Sequence, residues 1–294
     1  MSIVVGQSPH HEDLGALDLA CQLARSDKTS VFAVTVVPQG WPTTVAGDTD
    51  REFKLWAAEQ GAAAAAAVAK YLAEHSDVPG KAAWFSGSSV PAVLLEQAAA
   101  HEADLLVVGS GQDVANGQIG LTSKSTRLLH SSKAPIAIAP RGYRAGPGSI
   151  IDRITLAFRG DDETWSLLRQ VAEIARRTNA RLRVVTFAVR GSPMYQSGVS
   201  RAEDMVLASW IETARSEQAK ARDHLSDLGF NDESLTFDVP VGRSWGDAMD
   251  KLDWKRGDAL VVGSSSTHLL DRVFLGSSAS KLVRHSPVPV VVVP

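Results

Sequence analysis

Short apolar runs alternate along this chain with longer segments in which apolar residues recur every three or four positions. Runs of four to eight Val, Ile and Leu residues predict buried strands, and the wider spacing predicts amphipathic helices. In the first half, strands are predicted at residues 3–6, 31–37, 81–85, 105–108 and 136–139. Helices are predicted between them at residues 13–25, 51–75, 90–101 and 123–130.

The second half repeats this rhythm. Its predicted strands are residues 154–158, 182–189, 235–239, 259–262 and 288–293. Its predicted helices are residues 163–177, 202–228, 245–254 and 277–285. Strands separated by helices favour a parallel sheet, and nearly continuous apolar strands are typical of burial on both faces. The expected fold class is α/β, with two tandem, doubly wound, Rossmann-like domains, each built on a five-stranded parallel sheet.

The two halves also share residues at a fixed distance. Asp104-Leu-Leu-Val-Val-Gly109-Ser110 reappears 154 residues later as Asp258-Ala-Leu-Val-Val-Gly263-Ser264. With the same shift, Leu121, Ser123, Leu128, Pro135 and Pro140 fall on Leu275, Ser277, Leu282, Pro289 and Pro294. A repeat of this length is a whole domain, and the Gly, Pro and Arg residues at 141–149 are typical of a linker. We therefore expect domains at residues 1–145 and 146–294.

Composition narrows the function classes. The 294 residues, of which 44% are hydrophobic, suit two ordinary cores. A net charge of −3 without a stripe of Lys and Arg argues against nucleic acid and acidic membranes as partners. The single cysteine, Cys21, excludes an internal disulfide and favours a reducing, cytoplasmic setting, where it packs as a small apolar side chain. We expect no signal peptide, because the first residues lead directly into a strand, and no membrane span.

The candidate chemistry lies in the loops after the first and fourth strands of each half. Ligands of open parallel sheets bind outside the carboxyl ends of the strands, where the strand order reverses. In the second half this loop contains Gly263-Ser-Ser-Ser266 and then Gly276-Ser277-Ser278 at the start of a helix. Small residues let backbone N–H groups approach a phosphate, and a helix N-terminus favours an anion.

These motifs resemble the universal stress protein family in its tandem form. The resemblance is carried by Ala-Asp-Leu-Leu-Val-Val-Gly-Ser, the spaced glycines, Gly87-Ser-Ser-Val-Pro91-Ala and the final Pro-Val-Pro-Val-Val-Val-Val. It implies a doubly wound five-stranded sheet in each half and a role in stress response. ATP-binding members carry Gly, two residues, Gly, nine residues, then Gly followed by Ser or Thr. They also carry an Asp at the end of the first strand and a small apolar residue that touches the adenine.

The second half keeps part of that ATP pattern. Gly263, Gly276 and Ser277 match, and Ser278 adds a second hydroxyl. Ser266 replaces the second Gly, Arg159 takes the place of the Asp, and Phe187 falls near the adenine-contacting position. The resemblance thus predicts ATP, or a related nucleotide, in the second domain. We expect Arg159 either to contact a phosphate or to fill the adenine region and exclude ATP.

The first half departs further from the pattern. Gly109 matches, whereas Gln112 and Thr122 replace the second and third Gly, and Gln7-Ser8 stand where the Asp is expected. Thr122-Ser123-Lys124 can still hold an anion at a helix start. We therefore expect any bound nucleotide to prefer the second domain.

Other polar clusters are interpreted as surface. His10 and His11 lack acidic or Cys companions at zinc spacing, so no metal site is expected. His268, Asp271 and Arg272 lie in the second-half loop, but catalysis cannot be assigned without their mutual geometry, and no catalytic residue is proposed. Five tryptophans on predicted helices are read first as packing residues, an exposed subset marking an interface; they are Trp56, Trp165, Trp210, Trp245 and Trp254.

Three functions remain open at this point. The resemblance favours a stress-response regulator or sensor that binds a nucleotide. The alternatives are a protein-interaction module without a ligand and a slow hydrolase of ATP or phosphoesters. The last strands of the two halves, residues 136–139 and 288–293, are candidate sheet edges, so we predict that they pair with each other about a pseudo-two-fold axis, or with a second copy as a homodimer.

Overall fold

The computed structural model describes residues 2–9, 13–39, 48–75, 77–190, 200–266 and 273–294. The chain divides into two compact units. Unit 1 contains the described residues up to Ile150, and unit 2 contains the described residues of Ile151–Ser265 together with Leu275–Val293. Within the described part of the chain, no helix combines the length and the apolar character that a bilayer crossing requires.

Unit 1 is a five-stranded parallel sheet with helices between successive strands. Its elements are β1 (Ser2–Gln7), α1 (Gly15–Asp27), β2 (Ser30–Pro38), α2 (Asp48–Glu74), β3 (Gly80–Gly87), α3 (Val90–Ala100), β4 (Leu105–Gly109), α4 (Ser123–Ser131) and β5 (Ile136–Ala139). The strand order is β3-β2-β1-β4-β5, and every neighbouring pair is parallel. Right-handed crossovers then place α1 and α2 on one face and α3 and α4 on the other. Both faces of the central strands are covered, and Val4, Val5, Leu106 and Val107 are fully buried.

Unit 2 repeats this sheet with extra short strands. Its elements are β6 (Arg153–Ala157), α5 (Asp162–Thr178), β7 (Arg181–Val185), β8 (Ala188–Val189), α6 (Ser200–Asp227), β9 (Leu235–Asp238), β10 (Val241–Gly242), α7 (Trp245–Asp250), β11 (Asp258–Gly263), α8 (Ser277–His285) and β14 (Val290–Val293). The order β14-β11-β6-β7-β9 is parallel throughout. Strands β12 (Ser265–Ser266) and β13 (Val273–Phe274) pair separately. The predicted α/β fold class is confirmed.

The predicted strand at residues 182–189 is two strands. Strand β7 pairs with β9 as far as Val185 and Asp238, whereas β8 pairs with β10 at Ala188 and Val241. Pro240 stands between β9 and β10, and a proline has no N–H to continue the ladder. The break therefore follows from the partner strand and is not visible in the apolar run itself.

Helix α7 is also shorter than the predicted residues 245–254. It ends at Asp250, and the indole Nε1 of Trp254 donates to the carbonyl of Met249 at 2.9 Å. Trp254 was expected to continue the helix, but its indole instead forms a hydrogen bond with one of the last carbonyl groups of α7.

Candidate functional site

A cavity of about 1000 Å³ opens at the carboxyl ends of the strands in unit 1. The strand order reverses there between β1 and β4, which is the position at which open parallel sheets bind ligands. The cavity is lined by the ends of β1, β2, β3 and β4 and by the first turns of α3 and α4.

Apolar side chains form one wall of this cavity. They are Val34, Val36, Val37, Leu94 and Val108. Leu94 of α3 packs closely over Gly6 of β1, where an added Cβ would lie 2.8 Å from a Leu94 methyl carbon. A flat apolar ring is the kind of group that such a wall accepts.

The loop after β4 also lines the cavity. Ser110 Oγ accepts the N–H of Gly120 at 2.7 Å, and the N–H of Gly111 donates to the carbonyl of Gly120 at 2.9 Å. A Cβ at Gly111 would lie 2.7 Å from Oδ1 of Asp113 and 2.9 Å from a Thr122 methyl group, so a larger residue there would displace one of these side chains. Sequence reasoning looked for the close-packed glycine at position 112 and missed Gly111, one residue earlier.

The start of α4 adds positive charge to the cavity. Thr122 and Ser125 form a capping box, in which Ser125 N–H donates to Thr122 Oγ1 at 3.1 Å and Thr122 N–H donates to Ser125 Oγ at 2.8 Å. The N–H groups of Ser123 and Lys124 begin the helix and have no partner within it. Lys124 and Arg127 also line the cavity, and neither forms an ion pair with any other described residue. This end of the cavity is suited to an anion.

Gln7 lies at the end of β1, where the family resemblance expects an Asp. Its side chain is 7% exposed, and its Nε2 donates to the carbonyl of Asp13 at 3.2 Å. Asp13 itself lines the cavity, and its Oδ1 accepts the N–H of Gly15 at 2.9 Å. Sequence reasoning did not single out Asp13, although its place just before α1 is typical of a residue that bonds a helix start.

The predicted binding residues of the second half lie on three segments of the chain. Gly263 ends β11, Ser266 lies in β12, and Ser277 and Ser278 open α8. Gly276 is the N-cap of α8 and makes no side-chain hydrogen bond, so this helix start is uncapped. His268, Asp271 and Arg272 lie outside the described residues, as do His10 and His11.

Arg159 follows β6 and is engaged by two carboxylates. Its Nη2 lies 2.7 Å from Oδ2 of Asp161 and 3.5 Å from Oε2 of Glu163, and its side chain is 56% exposed. Partial burial acts to raise the pKa of Asp161, but hydrogen bonds from Thr164 and the charge of Arg159 outweigh it and lower this pKa. Any phosphate contact of Arg159 would compete with these two carboxylates.

Phe187 is buried between β7 and β8. Its exposure is 8%, and its ring centroid lies 6.4 Å from that of Trp245 at the start of α7. Lys281 of α8 lies over the Trp245 ring, with its Nζ 5.9 Å from the ring centroid. The predicted adenine-contacting position is thus occupied by an aromatic pair with a cation beside it.

The remaining candidates have structural surroundings. Cys21 is buried in α1, and burial raises the pKa of its thiol to about 11. Trp56 and Trp210 are 44% and 42% exposed on α2 and α6, whereas Trp165, Trp245 and Trp254 are partly covered. Among the described residues, no group of three or more His, Cys, Asp or Glu side chains is arranged to hold a metal ion.

Comparison with known proteins agrees with this architecture. The sequence model of the universal stress protein family matches residues 1–140 and 151–294. Universal stress protein Rv2319c of Mycobacterium tuberculosis and universal stress protein Mb2346c of Mycobacterium bovis are each 36% identical to this chain over 296 residues, covering 100% of both sequences.

Solved structures share the fold at lower identity. A universal stress protein from Archaeoglobus fulgidus aligns with 99% of this chain and 97% of its own, with a TM-score of 0.63 and 16% identity. The functionally unknown protein PA1789 from Pseudomonas aeruginosa aligns with 99% of this chain and 92% of its own, with a TM-score of 0.59 and 18% identity. From the matched domains and the full-length relatives, this chain belongs to the universal stress protein family and carries two of its domains in tandem.

Proposed function

We propose that this protein is a stress-response regulator or sensor that binds a nucleotide or a related phosphorylated small molecule. The observation that carries the proposal is the unit 1 cavity, which joins an apolar wall to a cationic helix start. Its volume of about 1000 Å³ is at the upper end of the range typical of small-molecule sites. A ligand with a flat ring and a phosphate matches both ends.

Each end of the cavity has a distinct task in this proposal. Val36 and Leu94 shelter the ring from water, while the N–H groups of Ser123 and Lys124 bond the phosphate oxygens. Lys124 and Arg127 neutralise the phosphate charge from positions at the rim. The proposed activity is binding. Hydrolysis of ATP or a phosphoester stays a separate prediction, because His268 and Asp271 lie outside the described residues.

The first test removes the two cations. We expect Lys124→Ala with Arg127→Ala to weaken ATP binding about a hundredfold, since each lost charge-assisted bond costs on the order of 1.4 kcal/mol, or about tenfold. Isothermal titration calorimetry with ATP measures both the affinity and the number of sites. Lys133→Ala is the matched control, because Lys133 is an exposed lysine beyond the other end of α4. Unchanged binding in the double variant would overturn the unit 1 site.

ATP binding in the second domain is a further proposal, favoured by the uncapped start of α8. There the N–H groups of Ser277 and Ser278 begin the helix, and the N-cap Gly276 makes no side-chain bond. Neither of the first two N–H groups has an intrahelical partner, so both are available to an anion.

Gly276→Val tests this second site. The bulky side chain should block the approach of the backbone to a phosphate and remove one binding event from the ATP titration, with the unit 1 event retained. The Lys124 and Arg127 double variant should show the reverse pattern. If Gly276→Val leaves both the stoichiometry and the affinity unchanged, the second domain does not bind ATP through α8.

The competing function is a protein-interaction module without a small ligand. Two measurements on the wild-type protein distinguish it from a nucleotide sensor. An interaction module should release no binding heat when it is titrated with ATP, and mass spectrometry should identify no small molecule that co-purifies with it. A cytoplasmic location stays a prediction that rests on the single, buried cysteine Cys21.

A further inference from the structure

Both ends of the segment that follows β5 are hydrogen-bonded to other parts of unit 1. Arg25 Nη1 donates to the carbonyl of Ser149 at 2.7 Å, and Gln22 Nε2 donates to the carbonyl of Ile150 at 2.9 Å. The hydroxyl of Tyr143 donates to the side chain of the same Gln22. Residues 141–149 were expected to be a linker, and in unit 1 this segment is anchored to α1 through Tyr143 near its start and Ser149 at its end.

The first residue of this segment, Arg141, holds the loop after β4. Its Nη1 donates to the carbonyl of Gln112 at 2.7 Å and also to the carbonyl of Val114. Its own N–H donates to the carbonyl of Gln118 at 2.9 Å, and its carbonyl accepts the N–H of Gly117 at 2.8 Å. One residue therefore makes four hydrogen bonds to a loop whose beginning, residues 109–112, lines the cavity.

The next residues hold the loop after β1. Gly142 N–H donates to Oδ2 of Asp13 at 3.0 Å. Arg144 Nη1 lies 3.6 Å from Oδ1 of Asp13 and 3.5 Å from Oδ2 of the buried Asp18. The hydroxyl of Tyr71 in α2 donates to the other carboxylate oxygen of Asp18 at 2.8 Å. The ion pair of Arg144 with Asp18 is therefore linked to α2 through Tyr71. Asp13 lines the cavity, as do Ser8 and Pro9 from the same loop.

We propose that residues 141–144, the linker latch, position the loop after β4 and Asp13 beside the unit 1 cavity and couple occupancy of the cavity to the order of the linker. The inference rests on the ligand site proposed above. A latch that holds the loops in the binding arrangement raises affinity, and by linkage a bound ligand must stabilise the latch by the same free energy. Ligand binding in unit 1 is thereby transmitted to the segment that leads into unit 2.

The test uses the full chain with Arg141→Ala, Arg141→Lys and the control Lys133→Ala. In Arg141→Ala without ligand, we expect amide hydrogen exchange of residues 110–118 to accelerate, because the fork on Gln112 and Val114 is lost. We expect ATP affinity at the unit 1 site to fall about tenfold, as it must if the competent loop arrangement drops to about a tenth of the molecules. Arg141→Lys keeps a cationic donor, so it should show a smaller increase in loop exchange and a smaller loss of ATP affinity than Arg141→Ala.

Ligand should act on the latch in the opposite direction. With saturating ATP, exchange of residues 141–144 and trypsin cleavage after Arg144 should both slow in the wild-type protein, but not in the Lys124 and Arg127 double variant. Unchanged loop exchange in Arg141→Ala overturns the positioning role, whether or not ATP binds. Equal ATP affinity in wild type and Arg141→Ala, or linker exchange that ignores ATP, overturns the coupling. Absence of ATP binding in the wild type overturns both the coupling and the proposed ATP site, while the ligand-free exchange still decides the positioning role.

Discussion

Single side chains set the charge that each candidate site offers to a ligand. In unit 1, Lys124 and Arg127 line the cavity without an ion-pair partner among the described residues, so their charge is available to an anion. In unit 2, Arg159 is shared between Asp161 and Glu163. Exposed ion pairs of this kind contribute little to the free energy of folding, so Arg159 would lose little stability by exchanging a carboxylate partner for a ligand phosphate. Whether Arg159 contacts a ligand anion or fills the adenine region and excludes ATP therefore stays a prediction. Titration of wild type and Arg159→Asp with ATP tests it, because weaker binding in the variant supports the contact and a gain of binding supports the exclusion.

Asp161 carries a prediction about pH. Its carboxylate caps α5, accepting the N–H of Thr164 at 2.9 Å, and its pKa is lowered from 3.8 in the folded protein. The stability that the ionised form contributes is therefore present above pH 3.8 and is lost as pH falls through the lower, folded-state pKa. At pH 7 we expect Asp161→Ala to lower the free energy of unfolding by about 1 kcal/mol. Urea unfolding, repeated below pH 3.8, should show this difference shrinking.

Asp161→Asn is the matched control for that measurement. Asparagine caps a helix about as well as aspartate but carries no charge, so it should retain most of the stability at pH 7 and lose its pH dependence. A difference between wild type and Asp161→Ala that stays constant down to the lowest pH measured would mean that the ionised carboxylate does not stabilise α5.

At the scale of elements, the two equivalent helix starts differ. Helix α4 begins with a reciprocal capping box of Thr122 and Ser125, whereas α8 begins at Gly276 without a side-chain cap. The sequence comparison read Thr122 as a lost glycine. The structure shows the gain that accompanies this loss, because Thr122 Oγ1 accepts the Ser125 N–H, one of the N–H groups that a helix start leaves unpaired, while Ser125 Oγ accepts the Thr122 N–H in return.

Strand and helix boundaries were predictable where the chain carries its own signal. Ser89 before Pro91 predicts the start of α3, and Ser89 Oγ accepts the N–H of Ala92. The ends of β7 and α7 were not predictable in this way. They depend on Pro240 in a partner segment and on the indole of Trp254 folding back to Met249. Both are tertiary effects, which a local apolar pattern does not contain.

For the whole molecule, the 154-residue repeat predicted the two parallel sheets and the loops at which each switch point lies. It placed the preferred nucleotide site in the second half and not at the unit 1 cavity. Glycine spacing was compared position by position, whereas the close approach depends on backbone geometry, which places Gly111 against Thr122 and Asp113. Asp13 and Arg141 were missed for a related reason, since their partners are far away in sequence.

The last prediction concerns the final strands of the two sheets, β5 and β14. Among the described residues of its own unit, β5 pairs only with β4, and β14 pairs only with β11. Their residues are almost entirely apolar, Ile136-Ala-Ile-Ala139 and Val290–Val293, and an unpaired apolar edge invites association. We predict that each strand is paired along its second edge, with the other strand or with a second copy of the chain.

Amide hydrogen exchange tests this pairing directly. Successive N–H groups of a strand point to opposite edges, so a strand paired on one side protects only every second amide, whereas a strand paired on both sides protects all of them. We expect slow exchange at consecutive amides of β5 and β14. Native mass spectrometry at decreasing protein concentration distinguishes pairing within one chain from pairing between two copies. Protection that persists in the monomer indicates pairing within the chain, whereas protection that is lost together with the dimer indicates pairing between copies. Alternating fast and slow amide exchange in both strands, at every protein concentration, would show that neither strand is paired along its second edge and would contradict the prediction.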